Sequence, residues 1–357
     1  MAVMGGAILS DGPFEAAARD DRPGGDPSRP VTIAYIAQSA GVSVPTVSKV
    51  LNGKSGVSAE KRALIKELIS RHGYRKPTGA NRRSMLELVF RDLESMWGVE
   101  VIRGVELAAR RQGAGVLLSG FGPAETRGAA WDDSATPRPN CVVSVAQLSE
   151  SERAELAEKG IPFVVFDPTS EVPDGVPFVG ATNWSGGRVA TRHLIELGHC
   201  RIAMIAAAPD VLCCTARLDG YRSALGAAGL PVDEQLVARA ALTREAGTVA
   251  ARALLDLADR PTAVFASNDL QALGVYQAAR ERGLRIPEDL SVVGFDDLPV
   301  VAWVDPPMTT VHQPLAEMAA AATELALALG RGEQVAQVGV ELATKLTVRA
   351  STAPPKH

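Results

Sequence analysis

The segment "TIAYIAQSAGVSVPTVSKVLNG" (32–53) constrains this chain more than any other. Thr32 suits the cap of a helix whose Ile33, Ile36, Ala37 and Ala40 share one face. Gly41 fits the left-handed turn that ends such a helix. Ser43 is placed to cap a second helix, and Pro45 then falls in the first turn, where no intrahelical N–H partner is required. The proline therefore helps to start the helix. Val47, Val50 and Leu51 form its inward stripe, and Asn52-Gly53 ends it. Small Ala37, Gly41 four residues on and β-branched Val47 six further let two short helices meet at a tight turn. That spacing predicts a helix-turn-helix.

A third helix follows from Ser58 as cap, with Glu60 near the positive end of its dipole and Leu64, Ile65, Leu68 and Ile69 directed at the core, ending at His72-Gly73. Charge separates this module from the rest. Between Val31 and Arg83 ten Lys/Arg face two acidic residues, a net +8, and the total of −4 leaves −12 for the remainder. One module is built for a polyanion and a larger body is not. In the major groove the start of the second helix would turn Ser43, Val44, Pro45, Thr46 and Lys49 outward.

Other classes find little support. The four cysteines show no CxxC spacing and no nearby His cluster, so buried free thiols in a reducing compartment are expected, with no metal and no cofactor. No apolar run reaches spanning length. Residues 1–30, rich in Gly, Pro, Asp and Arg, read as a disordered arm without an export signal, and the expected location is cytoplasmic. "SGFGPAETRG" has Glu125 where a dinucleotide loop needs its third glycine, and GxSxG, HExxH and P-loop patterns are absent, so no enzyme is expected.

From Leu86 onward short β-rich runs ("LELVF", "AGVLLSG", "CVVSVA", "PFVVFD", "RIAMIAAA", "AVFASND", "LSVVGFDD") alternate with amphipathic stretches at 99–112, 184–197, 218–228, 246–259 and 270–282. This predicts parallel sheets flanked by helices, with ligands beyond the carboxyl ends of the strands.

The stretch "TIAYIAQSAGVSVPTVSKVLNG…VSAEKRALIKELISRHGYRKP" resembles the DNA-binding head of the LacI/GalR family of bacterial transcription factors, with Tyr35-Ile36-Ala37 where the family usually has Asp-Val-Ala. The resemblance continues to about Arg349 through "TRHLIELGHCRIAMI", "RLDGYRSAL", "FASNDLQALGVYQAARERGLRIPEDLSVVGFDD" and "PPMTTVHQP". It implies an all-α helix-turn-helix head (31–76), a hinge (77–85) and an α/β periplasmic-binding-protein-like body (86–350). Two Rossmann-like subdomains would enclose a cleft, with chain crossings near 181–184, 304–311 and 335–340, and 351–357 would be a tail.

Carried over by position, Val44 and Pro45 are the operator-discriminating pair and Lys49 reads a guanine edge. Thr32, Ser43, Thr46, Ser48, Asn52 and Tyr74 are phosphate or framework contacts. In the hinge Ala80 matches, but Arg83 stands where relatives insert a leucine, so Arg82 or Arg83 would touch phosphate or the minor groove. Arg217 and Asp269 match the residues that hold an effector, Trp97 could stack on a sugar face, and Asp92, Asp167, Asp296 and Trp303 are further cleft candidates. The implied protein is a homodimeric repressor on a palindromic double-stranded operator, with helix 99–112 at the interface, controlled by a mono- or oligosaccharide. The alternatives are a purine-responsive regulator or a sugar-binding protein without DNA function.

Overall fold

The computed structural model describes residues 31–51, 54–72, 74, 84–90, 95–120, 138–145, 147–335 and 338–356. Two compact units meet at 82/83. The 1–30 arm and most of the 77–85 hinge lie outside the described residues.

The first unit holds three helices: α1 (Ile33–Ser39), α2 (Val44–Leu51) and α3 (Ala59–Arg71). Thr32 Oγ1 accepts the Tyr35 N–H at 3.2 Å, and Gly41 has φ +61, so the first helix starts and stops as the sequence predicts. Ser43 precedes α2; its hydroxyl meets that of Thr46 at 2.9 Å while its carbonyl accepts the Thr46 N–H. Ile36, Ala37, Val47, Val50, Ile65, Leu68 and Tyr74 make the shared core. Two readings of α3 change. Leu64 points outward at 43% exposure, and Ile69 is only marginal, because a thirteen-residue helix packed on two short ones buries a narrow stripe.

The second unit is built on two six-stranded sheets. The first contains β1 (Met85–Phe90), β2 (Gly115–Gly120), β3 (Cys141–Ser144), β4 (Phe163–Phe166), β5 (Phe178–Ala181) and β11 (Gly339–Leu342), in the order β11-β5-β4-β3-β1-β2, all parallel. The second contains β6 (Ile202–Ala206), β7 (Val237–Arg239), β8 (Ala263–Ala266), β9 (Ser291–Asp296), β10 (Thr309–His312) and β12 (Lys345–Thr347), in the order β12-β10-β9-β8-β6-β7, with β12 antiparallel to β10. Helices α4 (Met96–Arg111), α5 (Glu150–Glu158) and α10 (Leu315–Gly330) flank the first sheet. Helices α6 (Asn183–Glu196), α7 (Leu212–Ala227), α8 (Arg244–Leu255) and α9 (Asp269–Glu281) flank the second. The central strands are covered on both faces, which is why they read as continuous apolar runs.

The chain passes between the subdomains at 181–183, 313–314 and 343–344. The last two fall later than the 304–311 and 335–340 read from the sequence, because β10 still pairs within the second sheet and β11 within the first. The segment after 350 is not a free tail. Ser351 is buried, its hydroxyl donating to the Val292 carbonyl at 2.6 Å, and His199 meets the Ala353 carbonyl at 2.9 Å. Of the four thiols Cys141, Cys213 and Cys214 are buried, whereas Cys200 is exposed. Among the described residues no helix is long and apolar enough to cross a membrane.

One helix contact positions the site. A Cβ at Gly187 would overlap the Arg217 carbonyl, and a Cβ at Gly220 would overlap that of Trp184 and stand 2.7 Å from the Arg188 nitrogen. Helices α6 and α7 thus touch backbone to backbone. Gly220→Ala should cost about 1–3 kcal/mol through overpacking that no rotamer relieves. Calorimetry should show the melting temperature falling by roughly 2–4 °C per kcal/mol; an unchanged melt would contradict this contact.

Candidate functional site

In the first unit, Ser43 before α2 and Val44, Pro45 and Lys49 on it are exposed, while Thr46 and Ser48 are half-buried. This is the outward face a groove-reading helix needs. Nearby, Arg62 donates to the Lys54 carbonyl at 2.8 Å, holding the loop between α2 and α3. Thr32 is exposed but its hydroxyl oxygen serves the α1 cap. Tyr74 is buried in the core, so it takes the framework role and not the phosphate one. Asn52, Ala80, Arg82 and Arg83 lie outside the described residues.

In the second unit the cleft is built from strand ends. Arg217 on α7 is 3% exposed. Its Nε donates to Asn183 Oδ1 at 2.8 Å, its Nη1 donates to the Ser267 carbonyl at 2.6 Å, and Nη1 lies 3.7 Å from Asp296 Oδ1. The guanidinium carbon sits 3.6 Å from the centroid of the Phe295 ring. Asp167 follows β4, and its Oδ2 accepts from Gln313 Nε2 at 2.9 Å. Its other oxygen, Oδ1, is buried with no hydrogen-bond partner in the structure. Burial raises the pKa of Asp167, against the opposing charge of Arg217 and the Gln313 bond. Asp296 is likewise raised by burial, Arg217 opposing and the Asp269 and Asp167 charges adding.

Asp167 (φ 46), Asp296 (φ 111) and Asp297 (φ 63) all occupy the positive-φ region. Each such residue costs on the order of 1–3 kcal/mol and tends to mark a functional strand end. Asp297 is committed to structure: its carboxylate accepts from Arg349 at 2.6 Å and meets His312 Nδ1 at 3.0 Å.

The candidates from sequence divide accordingly. Arg217, Asp167 and Asp296 converge. Asp269 does not face the cleft: it is fully buried, with Oδ2 accepting the Leu298 N–H at 2.8 Å and Oδ1 the Thr310 hydroxyl at 2.6 Å. It latches the loop after β9. Trp97 is half-buried, edge-on to Phe166 with ring centroids 5.8 Å apart, and its Nε1 donates to Gln313 Oε1 at 3.3 Å, so it orients Gln313. Trp303 is 78% exposed and shares no bond with the cluster. Asp92 lies outside the described residues. Sequence reading missed Asn183, Ser267, Gln313 and Phe295. Gln313 and Phe295 stand within quoted motifs, but a backbone carbonyl acceptor such as that of Ser267 carries no side-chain signal.

The two subdomains touch directly beside this cluster, where the Leu212 N–H donates to the Thr169 carbonyl at 2.8 Å. Next to it opens a cavity of ≈ 460 Å³, walled by residues of both subdomains including Asp167, Asn183 and Trp184. Among the described residues no group of three or more His, Cys, Asp and Glu side chains could hold a metal. The arrangement offers a fixed cation, acceptors and an aromatic ring.

Burial pushes Asp269 up to about 7, against the Thr310 and Leu298 bonds that lower it. An unfolded Asp titrates near about 3.9. The folded state therefore holds an extra proton between these values, and the contribution of Asp269 to stability is full below pH ~4 and lost as pH rises through about 7. Urea unfolding of wild type and Asp269→Asn across this range should show wild type losing stability relative to the variant with rising pH. A pH-independent difference would contradict the buried, raised carboxyl.

Residues 32–76 match the bacterial regulatory proteins of the lacI family, and 191–352 match the periplasmic binding protein-like domain. The HTH-type transcriptional regulator CelR of Thermobifida fusca is 36% identical over 338 residues, covering 90% of this chain and 98% of the relative. The structure of a CelR–cellobiose complex superposes with TM-score 0.69 at 35% identity, covering 90% of this chain and 99% of that one. The lac repressor dimer bound to operator and the anti-inducer ONPF gives TM-score 0.66 at 26% identity, covering 91% and 100%. A helix-turn-helix head, a periplasmic-binding-protein-like body and relatives of this similarity along nine-tenths of its length lead to one conclusion: the chain belongs to the LacI family of bacterial transcriptional regulators.

Proposed function

We propose that the protein is a homodimeric repressor of carbohydrate-utilisation genes that binds an inverted-repeat operator through α2 and releases it in response to a sugar held in the cleft of the body. The observation that carries the sugar reading is the unpartnered Oδ1 of Asp167, buried beside a guanidinium whose Nε and Nη1 are engaged by Asn183 and Ser267. An orphaned buried acceptor is costly unless a ligand supplies a donor, and a hydroxyl does so without adding charge. The cellobiose in the related CelR complex supports the same class of ligand.

On the DNA side, Val44 and Pro45 carry no polar heads and can offer only apolar contact, such as to a thymine methyl. Lys49 is the exposed donor on this face, suited to a guanine edge. Dimer formation is supported by Met96, Val99 and Leu107, which share one side of α4 and are 38%, 54% and 47% exposed. Such a patch suits a self-complementary twofold interface, and a palindromic operator requires that symmetry.

Lys49→Ala should cost about 1–3 kcal/mol on an inverted-repeat operator and far less on scrambled duplex. Equal loss on both, measured by fluorescence anisotropy, would reduce Lys49 to a phosphate contact. Cellobiose near 100 times its dissociation constant should stabilise wild type by about 2.7 kcal/mol. Arg217→Lys should abolish that thermal shift and retain operator affinity; an undiminished shift would remove Arg217 from the effector site.

A further inference from the structure

The indole that the cleft presents is Trp184. It is the second residue of α6, 45% exposed, and its backbone is pinned because its carbonyl lies against Gly220. The Arg188 guanidinium stands 5.8 Å from its ring centroid. Trp184 borders the ≈ 460 Å³ cavity together with Asp167, Asn183, Glu171 and Glu341. Two of these neighbours, Asp167 and Asn183, also belong to the buried Arg217 cluster. Arg217 and Asp296 do not border the cavity, and Trp184, Glu171 and Glu341 take no part in the cluster. Asp167 and Asn183 are therefore shared between the buried Arg217 cluster and a chamber with an aromatic wall, and mark the chamber's inner end.

We propose that Trp184 is the stacking platform of a second subsite, so that the effector is a carbohydrate of at least two rings. This rests on the carbohydrate reading above and specifies its length. The inner ring donates to the free oxygen of Asp167. The outer ring lays its C–H face on the Trp184 indole, and its hydroxyls donate toward Glu171 and Glu341. An apolar ring face beside two carboxylates matches the C–H face and the hydroxyls of a sugar ring. The chamber's volume lies within the roughly 300–1,000 Å³ of small-molecule pockets. Its walls come from both subdomains: Glu171 follows β4 and Glu341 lies on β11, whereas Trp184 opens α6. A two-ring ligand would consequently bridge the subdomains along the whole chamber.

The test is calorimetric titration of the full chain with cellobiose, maltose and glucose. Wild type is expected to bind one of the disaccharides at least ten-fold more tightly than glucose. Trp184→Ala should remove about ten-fold of that disaccharide affinity and change glucose affinity less than two-fold, and Trp184→Phe should restore most of the loss. A thermal melt matching wild type guards against misfolding. Undiminished disaccharide binding by Trp184→Ala, or equal loss for glucose, overturns the outer subsite while leaving a sugar effector in place. Failure of wild type to bind any of the three overturns the carbohydrate reading, and this inference with it.

Discussion

A guanidinium removed from water governs the body of this protein. Moving one charge into the interior costs several kcal/mol after relaxation, and only well-placed partners offset it. Arg217 obtains them from three chain segments: the start of α6 (Asn183), the residue after β8 (Ser267) and the end of β9, which supplies both Asp296 and the Phe295 ring beneath it. Asn183 could not reach it were α6 and α7 held apart by side chains, so Gly187 and Gly220 are conditions for that bond. The strained backbones of Asp167 and Asp296 belong to the same arrangement. Those carboxylates face inward only because the strands end in conformations that most residues avoid.

The cluster also sits where the subdomains join. Asn183 follows the first crossing and Gln313, which holds Asp167, lies at the second. Together with the Leu212–Thr169 backbone bond, these contacts make closure of the cleft a matter of a few hydrogen bonds. A ligand that donated to Asp167 in one closure state and not in the other would meet the requirement for shifting a two-state equilibrium. To carry such an equilibrium from 1:99 to 99:1 the ligand must favour one state by about 5.5 kcal/mol, an amount that a multi-hydroxyl ligand engaging several of these groups is able to supply.

The legible part of the sequence was local. Thr32, Gly41, Ser43 and Pro45 act within one or two turns of themselves, so the helix-turn-helix could be read directly, and strands buried on both faces announced themselves as apolar runs. What was hidden depends on the third dimension. Asp269 and Asp296 are both acidic residues at strand-to-helix ends, and only the path of the loop after β9 consigns one to Leu298 and Thr310 and the other to Arg217. Trp97 and Trp184 are equally aromatic, and packing decides which presents its ring. Leu64 fitted the helical period yet faces outward, because the period alone does not say how wide a stripe the neighbours cover. The crossings were misplaced by a few residues since strand pairing, which sets them, is a long-range property.

The central claim is that occupancy of the cleft and occupancy of DNA draw on one equilibrium. Thermodynamic linkage then requires a single factor, typically about 5–150-fold, in both directions. Operator affinity would be titrated by anisotropy with and without saturating cellobiose, and cellobiose affinity by calorimetry with and without saturating operator. The account predicts the same fold-decrease in both titrations, well away from unity. Sugar bound tightly with operator affinity untouched would contradict it.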